Sequence, residues 1–375
     1  MKNSFGRIAL TPLLIVLFNY SLMAQEMDFE TYNPKSTLVV PEHPVKRAKF
    51  PFVDIHSHQR NVNEPLILKL IGEMDEINMA TMVNLSGKRF SRIGGDNNGQ
   101  EYLNSMINAF NTFAPGRFIV FTNLSFAGFG EKDWKEKAVK ILEEDVKNGA
   151  NGLKIFKSLG LSVTDIHGKR VPINHPDLDV IWAKCGELGI PVLIHAADPA
   201  PFWEPMDSNN ERWLELKLRP NRKRGANNPA PFEQIIAEQH GIFEKHKNTT
   251  FINAHMGWMA NDLEKAAKHL DKYPNVNFGI AAVIAEFGRQ PRAAKKFFIE
   301  YQDRILFGKD AYNKEEFYTY FRVLETEDEY FPYYKKYHAY WRMYGLGLPD
   351  EVLKKVYYKN ALRIVPNIDR SLFPE

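Results

Sequence analysis

Eight short runs rich in β-branched and aromatic residues recur along this chain, separated by segments of helical period, and that alternation constrains the fold more than any other feature. The runs are "FPFVDIHSH", "TMVNLSG", "FIVFTNLSF", "GLKIFKSL", "PVLIHAAD", "TTFINAHMGW", "VNFGIAAV" and "RILFGKDAY". Between them, segments such as "EPLILKLIGEMDEINM", "DWKEKAVKILEEDVKNGA", "PDLDVIWAKCGELGI" and "NDLEKAAKHLDKYP" place apolar residues three and four apart. Strand and helix in strict alternation imply parallel strands joined by crossover helices. Eight such units in roughly 310 residues predict an α/β fold, a (β/α)8 TIM barrel. An open doubly wound sheet is the alternative, but no G-x-G-x-x-G follows the first strand. Connections at about 158–176, 198–232 and 311–348 are longer than a bare barrel needs. They are expected as long loops at the C-terminal face, where barrel enzymes build their sites, covering a pocket.

The chain ends and the composition narrow the class of partner. Residues 1–24 carry Lys2 and Arg7, an apolar run from Ile8 to about Leu22, and then Ala24, the pattern of a secretory signal peptide. An uncleaved anchor is the alternative, but the run is broken by Pro12 and Asn19 and falls short of the roughly 20 residues that span a bilayer. The expectation is a periplasmic or secreted protein with no stable membrane association after cleavage. Residues 25–49, with three prolines and no sustained period, read as an N-terminal extended arm, and 50–375 as the barrel domain. A single cysteine, Cys185, precludes an internal disulfide, which a core built from 44% hydrophobic residues does not need. With 49 basic and 46 acidic residues interspersed, net charge is only +3, so neither a nucleic-acid stripe nor a polybasic membrane patch is indicated. A small-molecule substrate is the expected partner, and a homo-oligomer stays open.

The chemistry begins at "VDIHSH". Alternation along a strand turns Asp54, His56 and His58 to one side. A histidine pair at a strand end is often only hydrogen-bonded, so by itself it does not imply a metal. His195 ends "PVLI", however, His255 ends "FINA" and Asp310 follows "ILFG", each where a barrel strand would leave its C-terminal rim. Residues scattered over some 250 positions would thus converge on one mouth. Imidazoles with a carboxylate suit Zn²⁺, or Mn²⁺ or Fe²⁺, with a position left for water.

These motifs resemble the amidohydrolase superfamily. The xVDxHxH opening, "NAHMG" and "RILFG-x-D" are most similar to its amidohydrolase-related branch, which includes aminocarboxymuconate-semialdehyde decarboxylase, resorcylate decarboxylases and several lactonases. The resemblance runs from about residue 50 to 365. It implies one divalent metal on His56, His58, His195 and Asp310, with His255 off the metal, positioning or activating water or a substrate carbonyl. It also implies a metal-dependent hydrolase of a lactone, ester or amide, with Asp310 accepting the proton of the metal-activated water and His255 shuttling a proton. A lyase on the same ligands, a decarboxylase or hydratase of a small carboxylic acid, is the first alternative, and a non-catalytic ligand-binding barrel the second. Another arrangement within the superfamily has two metals bridged by a carboxylated lysine; Lys154 in "GLKIFK" would be the bridge, with His195 and His255 on the second ion. Otherwise Lys154 is a plain cation for a substrate carboxylate.

One position departs from the resemblance. Relatives have Gly-Thr-Asp or Gly-Ser-Asp at the eighth strand, whereas this chain has Gly308-Lys309-Asp310. Alternation points Lys309 away from Asp310, toward the helical layer, where its charge needs a partner. Further substrate contacts are expected from Trp258, three residues after the sixth-strand histidine, and from Glu286 and Arg289, which are equally readable as an ion pair on the next helix. The strand-five loop, with Phe202, Trp203, Glu204, Arg212, Trp213, Arg219, Arg222 and Arg224, reads either as a clamp for a flat acid or as a solvated basic loop. Eight of the 16 tyrosines lie between Phe317 and Tyr344, as expected of a lid or a subunit contact.

Overall fold

The computed structural model describes residues 28, 30, 32, 34–88, 99–335 and 341–374. Met1–Ser36 and Thr37–Glu375 are separate compact units. The expected leader lies outside the described residues. Thr37–Glu375 carries eight parallel strands, one at each run identified above. They are β1 (Phe52–Ser57), β2 (Met79–Asn84), β3 in two pieces (Phe118–Val120 and Thr122–Asn123), β4 (Leu153–Ile155), β5 (Val192–Ile194), β6 (Phe251–Asn253), β7 (Val276–Gly279) and β8 (Ile305–Leu306).

Each strand pairs in parallel with the next. The circle closes between β8 and β1. There Ile55 N–H donates to the Phe307 carbonyl (3.1 Å), Asp310 N–H donates to the His56 carbonyl (2.8 Å), and Ser57 and Asp310 form a parallel bridge. The fold is therefore the expected (β/α)8 barrel. Its strands are buried on both faces, which is why they read as continuous apolar runs and not as alternating ones. Outside the ring, Phe52 packs on Phe307, Phe317, Phe321 and Tyr357 at centroid distances of 4.9 to 5.9 Å.

Local signals set the helices. Helix α1 (Glu64–Ile77) starts where the Asn63 side chain accepts the Leu66 N–H with Pro65 in the first turn, and stops at Asn78 in the left-handed conformation. Residues 37–49 form neither helix nor strand. The arm is nevertheless tied down: Ala48 N–H donates to the Ile77 carbonyl (3.1 Å) and His43 N–H to Asp328 (2.7 Å). The segment after β8 departs from the expected loop. Lys314–Glu325 is a helix, capped by the Asn313 side chain on the Glu315 N–H, and a small antiparallel hairpin (Phe331–Pro332 with Arg342–Met343) follows it. The helix does not stand out in the sequence because its buried face, Phe317, Tyr320, Phe321 and Leu324, is largely aromatic, a composition that suits a lid equally well. Among the described residues no helix is long and apolar enough to cross a membrane.

Candidate metal centre at the barrel mouth

Strict alternation in β1 fails where it matters. The ladder with β2 slips between Asp54 and Ser57, a bulge of the kind that re-aims side chains near active sites. Asp54 consequently does not join the histidines. Its Oδ1 accepts the backbone N–H groups of His56 (3.0 Å) and Lys309 (3.1 Å), binding β1 to the end of β8. Burial pushes its carboxyl up to about 7, against those two hydrogen bonds. His56 and His58 do share one side, with Asp310: one ligand atom from each lies within 4.8 Å of the others. His58 Nε2 is 3.6 Å and His56 Nε2 3.9 Å from Asp310 Oδ1. Gly308 permits the approach, since a Cβ there would sit 3.1 Å from that of His56.

The donor set suits a divalent ion. Nδ1 of His58 pairs with Ser86 Oγ (3.0 Å), leaving Nε2 to face Asp310, the arrangement of a metal-binding imidazole oriented from behind. Burial holds His58 and His255 down at about 4, and His56 and His195 well below their ordinary value, so all four rings are neutral as ligands must be. Asp310 faces the mouth with 36% of its side chain exposed. Burial raises its pKa, but the imidazoles and ammonium groups facing it lower it further, so the carboxyl lies below its ordinary value.

His195 stands apart from that trio and against His255. His255 Nδ1 lies 2.6 Å from the Ala281 carbonyl, which can only accept, so Nδ1 carries the proton and Nε2 a lone pair. That lone pair faces His195 Nδ1 at 3.3 Å. If His195 donates from Nδ1, its Nε2, which is buried without a partner, is a bare lone pair available to an ion. His56 and His255 rings are 5.0 Å apart, so all five expected residues line one mouth.

Lys154 projects into the same space. It is 1% exposed, its Nζ has no hydrogen-bond partner, and burial lowers its pKa to about 7 despite Asp310. Its Nζ lies 5.5 Å from the centroid of the Phe156 ring. Lys335, from the hairpin, is a second cation drawn to Asp310, and sequence reasoning missed it because nothing local ties that segment to the mouth. Lys309 turns outward as expected and finds Glu316 and the Ala311 carbonyl. Lys157 pairs with Asp198, which also takes Arg224 (2.8 Å).

The remaining expected contacts are engaged within the protein. Trp258 stacks on His255 (4.7 Å, 21°) and donates its indole N–H to the Ala196 carbonyl (2.9 Å). Glu286 is buried against Arg212 (2.7 Å), and Arg289 pairs with Glu211 (3.0 Å) and covers Trp341 at 3.6 Å. Arg222 pairs with Glu215 (2.5 Å) and the Trp203 indole with the Ala230 carbonyl (2.9 Å). Glu286 and Arg289 thus pair chiefly with Arg212 and Glu211 and lie 4.0 Å from one another, and Arg212, Arg222 and Arg224 tie the strand-five loop to itself. A groove of about 670 Å³ beside Arg170 and Glu238 contains none of the site residues.

No protein of curated function matches the sequence. Among solved structures, 2,6-dihydroxybenzoate decarboxylase from Rhizobium superposes with a TM-score of 0.52 at 14% identity, over 84% of this chain and 98% of that one. A dihydroxybenzoic acid decarboxylase from Polaromonas sp. JS666, with bound manganese and the inhibitor 2-nitroresorcinol, gives 0.53 at 13% identity over 84% and 96%. The 4-oxalomesaconate hydratase of Rhodopseudomonas palustris gives 0.51 at 15% over 86% and 97%. At such identities the likeness is one of fold. The sequence profile of the amidohydrolase family matches residues 123–366, most of the chain, and on that match the protein belongs to the amidohydrolase family.

Proposed function

We propose that the protein is a metal-dependent lyase, a decarboxylase or hydratase, acting on a small carboxylic acid. The observation that carries this is Lys154, a buried amine without a partner beside the candidate metal ligands. A carboxylate supplies the missing counter-charge, whereas a neutral lactone, ester or amide leaves it unanswered. The hydrolysis expected from the sequence therefore takes second place. The names of the structural neighbours point the same way, since two are decarboxylases of hydroxybenzoic acids and one is a hydratase.

His56, His58 and Asp310 would hold the ion, with His195 completing the set through Nε2. Zn²⁺ suits the donors, and Mn²⁺ is the ion of one neighbour. When bound, a divalent ion supplies Lewis acidity toward a substrate oxygen. Lys154 pairs with the acid and orients it, Lys335 adds positive charge facing Asp310, and the ionised Asp310 carboxylate accepts a proton. His255, its Nδ1 proton held by the Ala281 carbonyl, presents at Nε2 a lone pair that accepts a proton and hands it on.

The test is to load the protein with Mn²⁺ or Zn²⁺ and offer hydroxybenzoic acids, unsaturated oxo-acids, lactones and esters. Release of carbon dioxide or hydration of an acid is expected, with Lys154→Met raising KM about tenfold or more while metal content stays unchanged. Turnover of neutral esters only, undiminished in Lys154→Met, would refute the reading. Export to the periplasm or medium is part of the proposal, and cell fractionation checks it.

A second reading has its own observation. The facing nitrogens of His195 and His255, 3.3 Å apart, stand as two ligands of a second ion would, with Lys154 carboxylated by CO₂ as the bridge. Two metals per chain, with a carbamate carbon signal after incubation in ¹³C-bicarbonate, would favour it.

A further inference from the structure

Strand β6 ends in an unusual turn. His255 (φ 55°), Met256 (φ 52°), Gly257 (φ 57°) and Trp258 (φ 60°) follow one another in the left-handed region. Only glycine adopts it freely, and L residues seldom do so in succession. Gly257 is also required sterically, because a Cβ there would meet the Asn253 amide at 2.5 Å. Such a run persists only where surrounding contacts over-determine it. Here two side chains hold it from opposite sides. His255 donates to Ala281, just past β7, and Trp258 donates to Ala196, just past β5, so the turn is fastened to both neighbours of β6. Between the two anchors the indole lies flat on the His255 imidazole, whose Nε2 faces His195.

We infer that Trp258 is a positioning residue: it locks the left-handed turn and thereby aims His255 at His195, and it is not a substrate contact. Its one polar group is already spent on Ala196, and one face of the ring is covered by His255. The inference rests on the proposed function only in that His255 serves the reaction; the geometry is independent of which acid is turned over.

The measurement is solvent exchange of the His255 Nδ1 proton, followed by ¹⁵N NMR on histidine-labelled full-length protein, with His255→Asn identifying the signal. Trp258→Ala should accelerate exchange about tenfold, because the turn can relax once its strand-five anchor is gone, and Trp258→Phe, which keeps the stack, should show a smaller increase of about threefold. Unchanged exchange in Trp258→Ala overturns the inference, whether or not binding of 2,6-dihydroxybenzoate weakens. Should Trp258→Ala fail to fold, Trp258→Phe decides, since loss of the indole N–H alone must raise the exchange rate. Absence of lyase activity in the unaltered enzyme would count against the proposed function and leave these exchange rates as they are.

Discussion

Replacing Lys154 with methionine should stabilise the metal-free protein while impairing its function. Burial lowers the amine from 10.5 to about 7. At about 1.4 kcal/mol per pH unit, the folded state gives up about 5 kcal/mol to keep a charge there that the unfolded chain keeps at no cost. Methionine fills a similar volume without charge, so at pH 6 to 7 the variant should gain about 4 kcal/mol. The sign of the pH dependence follows from the same values. Below about 7 both states hold the proton and the penalty is complete; between about 7 and 10.5 only the unfolded chain holds it, so the stability of the unaltered protein rises with pH. The advantage of Lys154→Met should therefore shrink to about 2 kcal/mol at pH 9. Urea unfolding in a chelating buffer at pH 6, 7, 8 and 9 measures both effects. A variant no more stable than the parent, or an advantage that does not narrow with pH, would show that Lys154 has a partner in solution and would remove the reason for assigning it a carboxylate.

Three further outcomes are expected. His56→Ala and Asp310→Ala should each lose most of the metal retained after loading and desalting, read by elemental analysis, without unfolding. Burial also holds His240 and His269, which pack against one another at 4.6 Å, down at about 4 and about 3; since the unfolded chain takes up these protons below about 6.5, stability should be intact above that pH and fall by up to about 1.4 kcal/mol per pH unit for each histidine between about 6.5 and 4. His269→Phe should flatten that slope in urea midpoints taken from pH 7.5 to 4.5, and an unaltered slope would contradict it. Glu316→Ala strands the buried Lys309 ammonium and should cost about 2 kcal/mol, whereas Lys309→Met, which removes the charge itself, should cost less than about 1 kcal/mol in the same assay.

Much of the barrel was legible because its determinants are local. The eight runs are short, apolar and spaced by helical segments, and each became a strand of the ring. The convergence of His56, His58, His195, His255 and Asp310 followed from topology, since parallel strands bring their C-terminal ends to one rim. The outward turn of Lys309 followed from the two-residue period. Where these regularities break, the sequence is silent. The bulge that separates Asp54 from His56 is set by pairing across β1, β2 and β8. The hidden helix after β8 shows the same limit, because a largely aromatic face packs a barrel as readily as a lid.

The sequence by itself determined the fold class, the residue types gathered at the mouth and the end of the barrel at which they meet, since periodicity and strand-end position need no knowledge of distant neighbours. Only the tertiary structure decided which groups are satisfied. It engaged Glu286, Arg289 and the loop arginines in internal ion pairs, turned Trp258 onto His255, and left Lys154 buried without a partner. Hydrogen bonds, ion pairs and desolvation depend on atoms brought together from remote parts of the chain, so whether a charged side chain is free to meet a substrate is a property of the packed molecule alone.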